Sequence, residues 1–508
     1  MVRKMKSTSD VFKGRKCIQI VVDRFYRAGE PPSPIKGRIL KDWKDRMPNW
    51  QPDSKGDFPN DYYYGGNLKG VEEKLSYIKG MGFDMIYLSP LDKSLEYHHY
   101  DVGDQSEIDP WFGTWDDLES LCTAAKKLGI VVIVDVVFNH TSCHSIYVKT
   151  HPEWYKKDKN GNPVPWYGFK HLYEIDTANP SYISEMKKIL RKYIVKGKVD
   201  GFRYDLGMNL AREFLLEMAT LKIEFPHLLF VLEMWEIATS RSDPKIFDGQ
   251  TDSLMNYPMT DAILRWCAFG NAEHFKYNFK RVYTEYPETV QKLLLNNIAT
   301  HDTPLTMTML ADIKLRGNQP IMNPDVFKGA IWDIEDPWRS SRGFDTYGFR
   351  LFEAEHDKLT PTQYELAFKL SRVAFALMYS IRGIPCVMQG ADIGDTGFKD
   401  PFCRKPYDWF NPNLSMQSYI ATLNKIYEDN VDVFADGDSN LATCDNNTII
   451  LERFDYSGHR MVTAVTTSYK PTPIWIKNDC SNLKVIYATD DSSKQRLAPY
   501  GVLFAREN

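Results

Sequence analysis

Short runs of β-branched and other apolar residues recur along most of the chain, and amphipathic stretches separate them. Each run, read with its neighbours, is nearly continuous in hydrophobicity rather than alternating, which is typical of parallel strands buried on both faces. The pattern predicts strands at Ile18–Val22, Asp84–Ser89, Val131–Val137, Gly201–Tyr204, Leu228–Leu232, Ser253–Asn256, Asn296–Thr300 and Ile384–Met388.

The stretches between these runs carry helix signals. Thr114 and Asp117 have the spacing of a capping box, in which two side chains satisfy the free backbone N–H groups at a helix start. Apolar residues at helical spacing predict helices at Leu68–Gly82, Leu118–Leu128, Tyr182–Val195 and Glu365–Ile381. Strands that alternate with helices in this way predict an α/β fold, a (β/α)8 TIM barrel.

Two segments interrupt the alternation, and the tail departs from it. Residues 141–177 predict a small excursion domain B after the third strand, and residues 311–360 predict a long insertion after the seventh. The tail predicts an antiparallel β domain with strands at Thr448–Tyr456, Arg460–Ser468, Pro473–Lys477, Leu483–Thr489 and Gly501–Ala505. The predicted domains are a barrel of residues 1–140 and 178–430, domain B of residues 141–177, and a C-terminal β domain of residues 431–508.

Composition narrows the function classes. Apolar residues make up 43% and charged residues 26% of the chain, as in ordinary folded domains, and the net charge is -4. This balance gives no electrostatic reason to expect a nucleic-acid or membrane-surface partner. The first residues lack the apolar stretch of a secretory signal, and no run has the length of a membrane span. Because the 8 cysteines are scattered without a C-x-x-C pair, we expect reduced thiols and a cytoplasmic protein.

Charged and imidazole side chains follow several of the predicted strands. Catalytic groups of parallel barrels lie just beyond the carboxyl ends of the strands, so side chains at these positions are expected to meet at one rim. The candidates are Asp135, His140, Arg203, Asp205, Glu233, Glu236, His301 and Asp302. Carboxylates on several successive strands indicate a shared site rather than isolated helix caps.

Clustered carboxylates with an arginine and aromatic residues, without a phosphate loop or a metal triad, are typical of glycoside cleavage. A retaining glycosidase uses one carboxylate as nucleophile and one carboxylic acid as proton donor, about 5–5.5 Å apart. Arg203 is expected to hold the nucleophile ionised. Trp235 is expected to give the acid a low-dielectric surrounding that raises its pKa.

Four segments resemble the signature motifs of the α-amylase superfamily of glycoside hydrolases, in the same order and spacing. They are Asp135-Val-Val-Phe-Asn-His140, Gly201-Phe-Arg-Tyr-Asp205, Phe230-Val-Leu-Glu233 and Thr300-His-Asp302. A further match is His98-His-Tyr-Asp101. The resemblance implies that Asp205 is the nucleophile, that Glu233 is the acid/base, and that Asp302 stabilises the transition state by binding sugar hydroxyls.

The resemblance also implies a set of substrate-binding residues. Tyr100 is expected to stack under the sugar that is cleaved, and His301, His140 and Asp135 to bind its hydroxyl groups. The full set is Tyr100, Asp101, Asp135, His140, Arg203, Met208, Asn209, Trp235 and His301. Met208 and Asn209 stand where many α-amylases have Lys-His, so binding on the leaving side is expected to differ.

Further motifs resemble the neopullulanase and cyclomaltodextrinase group. They are Tyr63–Gly70, Leu254–Pro258, Asp395–Pro401 and Cys403–Lys405. That group has a β-sandwich module ahead of the barrel, whereas the first strand is predicted here near Cys17. Its dimer, and its preference for cyclodextrins, are therefore not expected to carry over.

The sequence therefore predicts a retaining hydrolase of α-1,4-glucosidic bonds in maltooligosaccharides and related dextrins. The alternatives are an exo-acting α-glucosidase or transglycosidase on the same fold, and a non-catalytic amylase-like binding subunit. No cofactor is expected to be required. A structural calcium ion is not favoured, because the loop after the first strand offers Glu30 and Asn67 beside a cation, Arg27. We expect a monomer or a weak homo-oligomer.

Overall fold

Parallel strands around one axis form the centre of the computed structural model, which describes residues 6–54, 60–241, 244–311, 354–355, 357–476 and 482–507. The sheet has 8 strands, and strands that follow one another in the chain are hydrogen-bonded, apart from the two at its ends. They are β1 (Cys17–Ile20), β2 (Met85–Leu88), β3 (Val131–Val137), β4 (Gly201–Asp205), β5 (Leu229–Leu232), β6 (Ser253–Leu254), β7 (Leu295–Asn296) and β8 (Ile384–Met388).

Two contacts close this sheet into a barrel. β1 pairs with both β2 and β8, and a bridge between Met255 and Leu295 joins β6 to β7. Inward side chains fill the interior, including Met85, Ile133 and Val231. The strands are buried throughout, as their continuous hydrophobicity predicts, and the (β/α)8 barrel is confirmed.

Helices surround the barrel, and the predicted ones are present with shifted ends. A capping box at Thr114 and Asp117 starts the helix after β2, which begins at Trp115. The predicted helix at Leu68–Gly82 is two helices, because Lys74 leaves helical geometry at φ -94° and ψ 3°. The main helices are Leu68–Glu73, Leu75–Gly80, Trp115–Lys127, Pro180–Val195, Arg212–Ala219, Leu221–Glu224, Ala238–Arg241, Tyr257–Phe269, Ala272–Glu285, Glu288–Gln291, Thr306–Leu310, Pro361–Ser380, Leu414–Asp429 and Val431–Asp436.

An excursion leaves the barrel rim after β3. After β3, His140–Ser142 pairs antiparallel with Leu172–Glu174, and the helix Tyr147–Thr150 lies between them. The insertion predicted at residues 311–360 falls almost wholly outside the described residues.

The C-terminal residues form an antiparallel sheet of 5 strands. Its strands are β9 (Asp438–Cys444), β10 (Thr448–Phe454), β11 (Arg460–Thr466), β12 (Leu483–Ala488) and β13 (Val502–Glu507). Strand β9 is not among the predicted strands, since its half-exposed residues give no strong apolar signal. Of the predicted strand Pro473–Lys477, only Pro473 lies in a strand, Thr472–Pro473, and Lys477 lies outside the described residues.

The described part of the chain has no helix that is long and apolar enough to cross a membrane.

Candidate active site

A buried arginine on β4 joins three carboxylates at the carboxyl ends of three adjacent strands. Arg203 is paired in register with Asp135 on β3, so the two side chains enter the barrel side by side. Its Nη1 donates to both carboxylate oxygens of Asp135 at 2.9 Å and to Asp205 Oδ1 at 2.9 Å. Its Nη2 lies 2.8 Å from Glu233 Oε2. One guanidinium thus fixes the relative positions of Asp135, Asp205 and Glu233.

Glu233 follows β5 and is held by hydrogen-bond donors. The backbone N–H of Leu206 donates to Oε2 at 2.6 Å, and the indole N–H of Trp235 donates to Oε1 at 2.6 Å. Leu206 has φ 47°, a left-handed conformation that costs energy in a branched residue and turns its N–H toward the site. Glu233 is buried beside Trp235, and the indole also makes a hydrogen bond to the carboxyl, which the sequence did not predict.

The environment of Asp205 also differs from the prediction. Burial, with the adjacent Glu233 carboxyl as the next cause, raises the pKa of Asp205 well above its ordinary value, and Arg203 only opposes this. Burial likewise raises the pKa of Asp135 to about 6, despite Arg203. Burial and the like charge of Glu233 therefore act against Arg203 at Asp205.

Asp302 approaches the same space from the loop after β7. Arg404 Nη2 donates to its Oδ1 at 3.0 Å, and His301 Nε2 lies 3.0 Å from its Oδ2. The side chain is 28% exposed, against 11% for Asp205 and 5% for Glu233, so Asp302 is the most open of the three to an incoming ligand. Burial raises the pKa of Asp302.

Aromatic and imidazole rings form the other wall. Tyr100 stacks on His301 with centroids 5.1 Å apart, and its hydroxyl donates to Asp135 at 2.8 Å. His140 stacks on Trp166 at 4.3 Å and contacts the Tyr100 carbonyl at 3.1 Å. Burial lowers the pKa of His140 to about 3 and that of His301 well below its ordinary value, so both rings are neutral near pH 7.

The remaining predicted residues lie around this centre. Asp101 accepts hydrogen bonds from the Ser94 hydroxyl and the Leu95 N–H, so it orders the turn that carries Tyr100. Burial raises the pKa of Asp101 to about 7. Met208 and Asn209 form a short 3-10 turn after β4, where Met208 packs against the cluster around Trp166.

Three further residues belong to the site without having been singled out. Gln19 on β1 lies 2.6 Å from His301 Nδ1, and Tyr87 on β2 donates to Asp135 at 2.6 Å. Arg404 donates to the His301 carbonyl at 2.6 Å as well as to Asp302. Gln19 and Tyr87 could have been identified from the sequence, because each is a polar or hydroxyl-bearing residue inside an otherwise apolar barrel strand.

The side chains do not fit a calcium ion in the loop after β1. The Asn67 side-chain oxygen already accepts from the Gly70 N–H at 2.7 Å, and its amide donates to the Ala28 carbonyl at 3.0 Å. The Lys74 ammonium lies 3.9 Å from the centre of the Tyr26 ring. Calcium needs six to eight oxygen ligands, and these oxygens are already engaged beside a cation.

Among the described residues, one group of three potential metal ligands is present, Glu96, His98 and Asp101. Glu96 and His98 form an ion pair at 2.6 Å, and backbone and hydroxyl donors occupy Asp101. A histidine and engaged carboxylates do not suit a hard cation that prefers free oxygens.

Comparisons with known proteins agree with this geometry. Residues 19–163 match the model of the alpha-amylase catalytic domain. The maltogenic alpha-amylase of Bacillus acidopullulyticus is 26% identical over 393 residues, which are 72% of this chain and 56% of that protein. The cyclomaltodextrinase of Geobacillus thermopakistaniensis is 25% identical over 68% of this chain and 52% of that protein. This chain thus spans little more than half the length of these two relatives.

Solved structures share the fold. The type III pullulan hydrolase from Thermococcus kodakarensis superimposes with a TM-score of 0.77 at 20% identity, over 100% of this chain and 84% of that one. Residues 19–163 are thus similar to the alpha-amylase catalytic domain, and the whole chain has the fold of these solved structures.

Proposed function

We propose that this protein is a retaining α-glucan hydrolase that cleaves α-1,4-glucosidic bonds of maltooligosaccharides and related dextrins. The observation that carries the proposal is the simultaneous contact of Arg203 with Asp135, Asp205 and Glu233 at the carboxyl ends of β3, β4 and β5. A single guanidinium holds these three carboxyl groups close together, and a retaining mechanism uses two such groups beside the scissile bond.

In this proposal Asp205 attacks the anomeric carbon while Glu233 donates its proton to the departing glycosidic oxygen. The bond from Asp205 to the sugar forms as the bond to the leaving chain breaks. Water then attacks the same carbon, Glu233 removes its proton, and Asp205 is released as a carboxylate. Two inversions give net retention.

The proposed roles need particular protonation states at Asp205 and Glu233. Asp205 has a raised pKa, whereas attack requires it as a carboxylate. Glu233 receives two hydrogen bonds, whereas donation requires it as an acid. We infer that the glycosidic oxygen takes the place of one of these donors when Glu233 gives up its proton.

Asp302 and the neighbouring rings bind the sugar in this proposal. Asp302 and His301 hold two ring hydroxyls, and Asp135 and His140 others in the same subsite. Tyr100 offers its ring as a stacking surface, and contacts to His301 and Asp135 fix its plane. Two neutral imidazoles suit a neutral polyhydroxylated ligand.

The test is the configuration of the first product. Proton NMR within minutes of mixing with maltoheptaose is expected to show the α-anomer, because retention keeps the configuration of the substrate. Initial β-anomer would contradict the mechanism. A product profile on maltotriose, maltoheptaose, β-cyclodextrin and pullulan completes the test, and we expect glucose and maltose from the linear sugars.

An exo-acting α-glucosidase or a transglycosidase uses the same residues, and the product profile separates these alternatives. A non-catalytic binding subunit is disfavoured because all three carboxyl groups and their partners are in place. A cytoplasmic location and a monomeric or weakly oligomeric state stay predictions.

A further inference from the structure

A glutamine inside the barrel contacts an imidazole of the candidate active site. Gln19 is 2% exposed and lies on β1, whose other residues are Cys17, Ile18 and Ile20. Its Nε2 is 2.6 Å from Nδ1 of His301, which belongs to the loop after β7. Strand β8 separates β1 from β7, so the contact joins two parts of the barrel that are not neighbours. The role of Gln19 depends on which ring nitrogen of His301 carries a proton.

His301 is neutral near pH 7, so one ring nitrogen carries a proton and the other carries a lone pair. Burial is the main cause, and it lowers the pKa of His301 well below its ordinary value. The charged groups around the ring act in both directions. Those that lower the pKa further are Arg404, Arg203 and His98, and Asp400 raises it.

The partners of Nε2 show that the proton of His301 is on that nitrogen. Nε2 lies 3.0 Å from Oδ2 of the Asp302 carboxyl group, whose other oxygen accepts from Arg404. Nε2 also contacts the Tyr100 hydroxyl, and the single proton of that hydroxyl is donated to Asp135 at 2.8 Å. Two acceptors therefore face Nε2, so Nε2 is the donor and Nδ1 has the lone pair.

The amide of Gln19 is consequently turned so that it donates to Nδ1. If the amide oxygen faced Nδ1 instead, two lone pairs would meet at this distance, or the ring proton would have to leave Nε2. The oxygen of Gln19 is buried and has no hydrogen-bond partner within the described ranges of the chain. An unpartnered buried acceptor is unfavourable. The orientation that leaves it so is explained by the need for a donor at Nδ1.

A proton on Nε2 suits the sugar-binding role proposed for His301 and Asp302. A hydroxyl group is both a donor and an acceptor. A sugar hydroxyl between the two side chains can therefore accept from the Nε2 N–H and donate to the carboxylate. With the proton on Nδ1, both side chains would present acceptors, and the hydroxyl could satisfy only one of them.

We infer that Gln19 is a positioning residue of the active site, whose amide donates to Nδ1 of His301 and keeps the ring proton on Nε2, facing Asp302 and the substrate. The effect on activity rests on the proposed function. The position of the proton is a property of the folded protein and can be measured without a substrate.

Nitrogen-15 NMR of protein labelled at its 11 histidines shows which ring nitrogen carries the proton. The signals of His301 are identified by their loss in His301→Asn. We expect the Nε2–H tautomer in the unaltered protein at pH 7. Gln19→Met keeps the length of the side chain but removes the donor, so the Nδ1 signal should move downfield, as for a lone pair without a hydrogen bond. The Nδ1–H tautomer in the unaltered protein would overturn the inference.

Kinetics in two backgrounds test whether Gln19 acts through His301. We expect Gln19→Met to lower kcat/KM for α-maltosyl fluoride about tenfold, the effect of one lost hydrogen bond in a buried site. Added to His301→Asn, the same substitution should lower kcat/KM by less than about twofold, because the group on which it acts is already absent. A loss that is equally large in both backgrounds overturns the inference, since Gln19 would then support the barrel in general.

Gln291→Met is the matched control. Gln291 is also a buried glutamine, and its amide contacts the Tyr286 carbonyl at 2.7 Å and the Arg382 guanidinium at 2.9 Å. It lies in the helix that precedes β7, so its loss should leave the His301 signals and kcat/KM unchanged. If the unaltered protein does not hydrolyse the substrate, the proposed function is wrong, and the NMR result still decides whether Gln19 donates to His301.

Discussion

Replacing Arg203 by methionine removes the one cation that contacts three carboxyl groups in the barrel. The side chains of Arg203 and Asp135 are 0% exposed, and those of Asp205 and Glu233 are 11% and 5% exposed. Removing one partner of a buried ion pair costs about 3–5 kcal/mol, because the remaining charge is left without compensation. Activity is expected to be lost at the same time.

This loss of free energy of unfolding corresponds to a fall in the melting temperature, Tm. At about 2.1 cal/mol/K per residue, the 508 residues unfold with an entropy of about 1.1 kcal/mol/K if they melt as one unit. A loss of about 3–5 kcal/mol then lowers Tm by about 3–5 °C. Arg191→Met, which breaks an exposed ion pair with Glu224, is the control and should lower Tm by less than about 1 °C.

The Tm deficit, which is the fall in Tm caused by Arg203→Met, should be larger at high pH than at low pH. The pKa of Asp135 is raised to about 6 in the folded protein, so its contribution to stability is present below its ordinary pKa and is lost as pH rises through 6. Without Arg203 the pKa of Asp135 rises further. At a pH above this pKa, each added pKa unit lowers the free energy of unfolding by about 1.4 kcal/mol. The Tm deficit of Arg203→Met should therefore be about 1–3 °C larger at pH 8 than at pH 5.

The assay is thermal unfolding followed by circular dichroism at pH 5 and pH 8, with Arg203→Lys beside it. Lysine keeps the charge but has no planar fork, so an intermediate deficit is expected. A deficit no larger than that of Arg191→Met, or a deficit larger at pH 5 than at pH 8, would refute the reasoning.

The other predictions concern the carboxyl groups proposed to be catalytic and a possible calcium site. Asp205→Asn should lower kcat by several orders of magnitude and leave the circular dichroism spectrum unchanged, and loss of the spectrum would make the test one of folding. Glu233→Gln should keep most of its activity on α-maltosyl fluoride, whose leaving group needs little acid help, and lose it on maltotriose; equal losses would contradict the acid role. EDTA should change Tm by less than about 2 °C, since the oxygens near Asn67 are engaged in hydrogen bonds. A fall in Tm of about ten degrees that calcium restores would show a metal site.

The order of the strands and the rim at which the polar residues meet followed from the sequence. A strand buried on both faces needs a continuous apolar run, so β3 and β8 have the ends that were predicted. The start of the helix after β2 could also be predicted, because Thr114 and Asp117 bond to backbone groups within one turn of each other. Strand β9 escaped prediction because edge strands carry half-exposed, polar residues.

The electrostatic state of the site was decided by tertiary structure. From sequence, Arg203 was expected to keep Asp205 ionised, and Trp235 to give the acid a low-dielectric surrounding. Folding places Glu233 beside the same guanidinium and turns the Trp235 indole N–H toward it. Burial then outweighs the arginine and raises the pKa of Asp205. Sequence thus determined which chemical groups are present, whereas a pKa depends on the distance and burial of groups that are far apart in the chain, which only the closed barrel brings together.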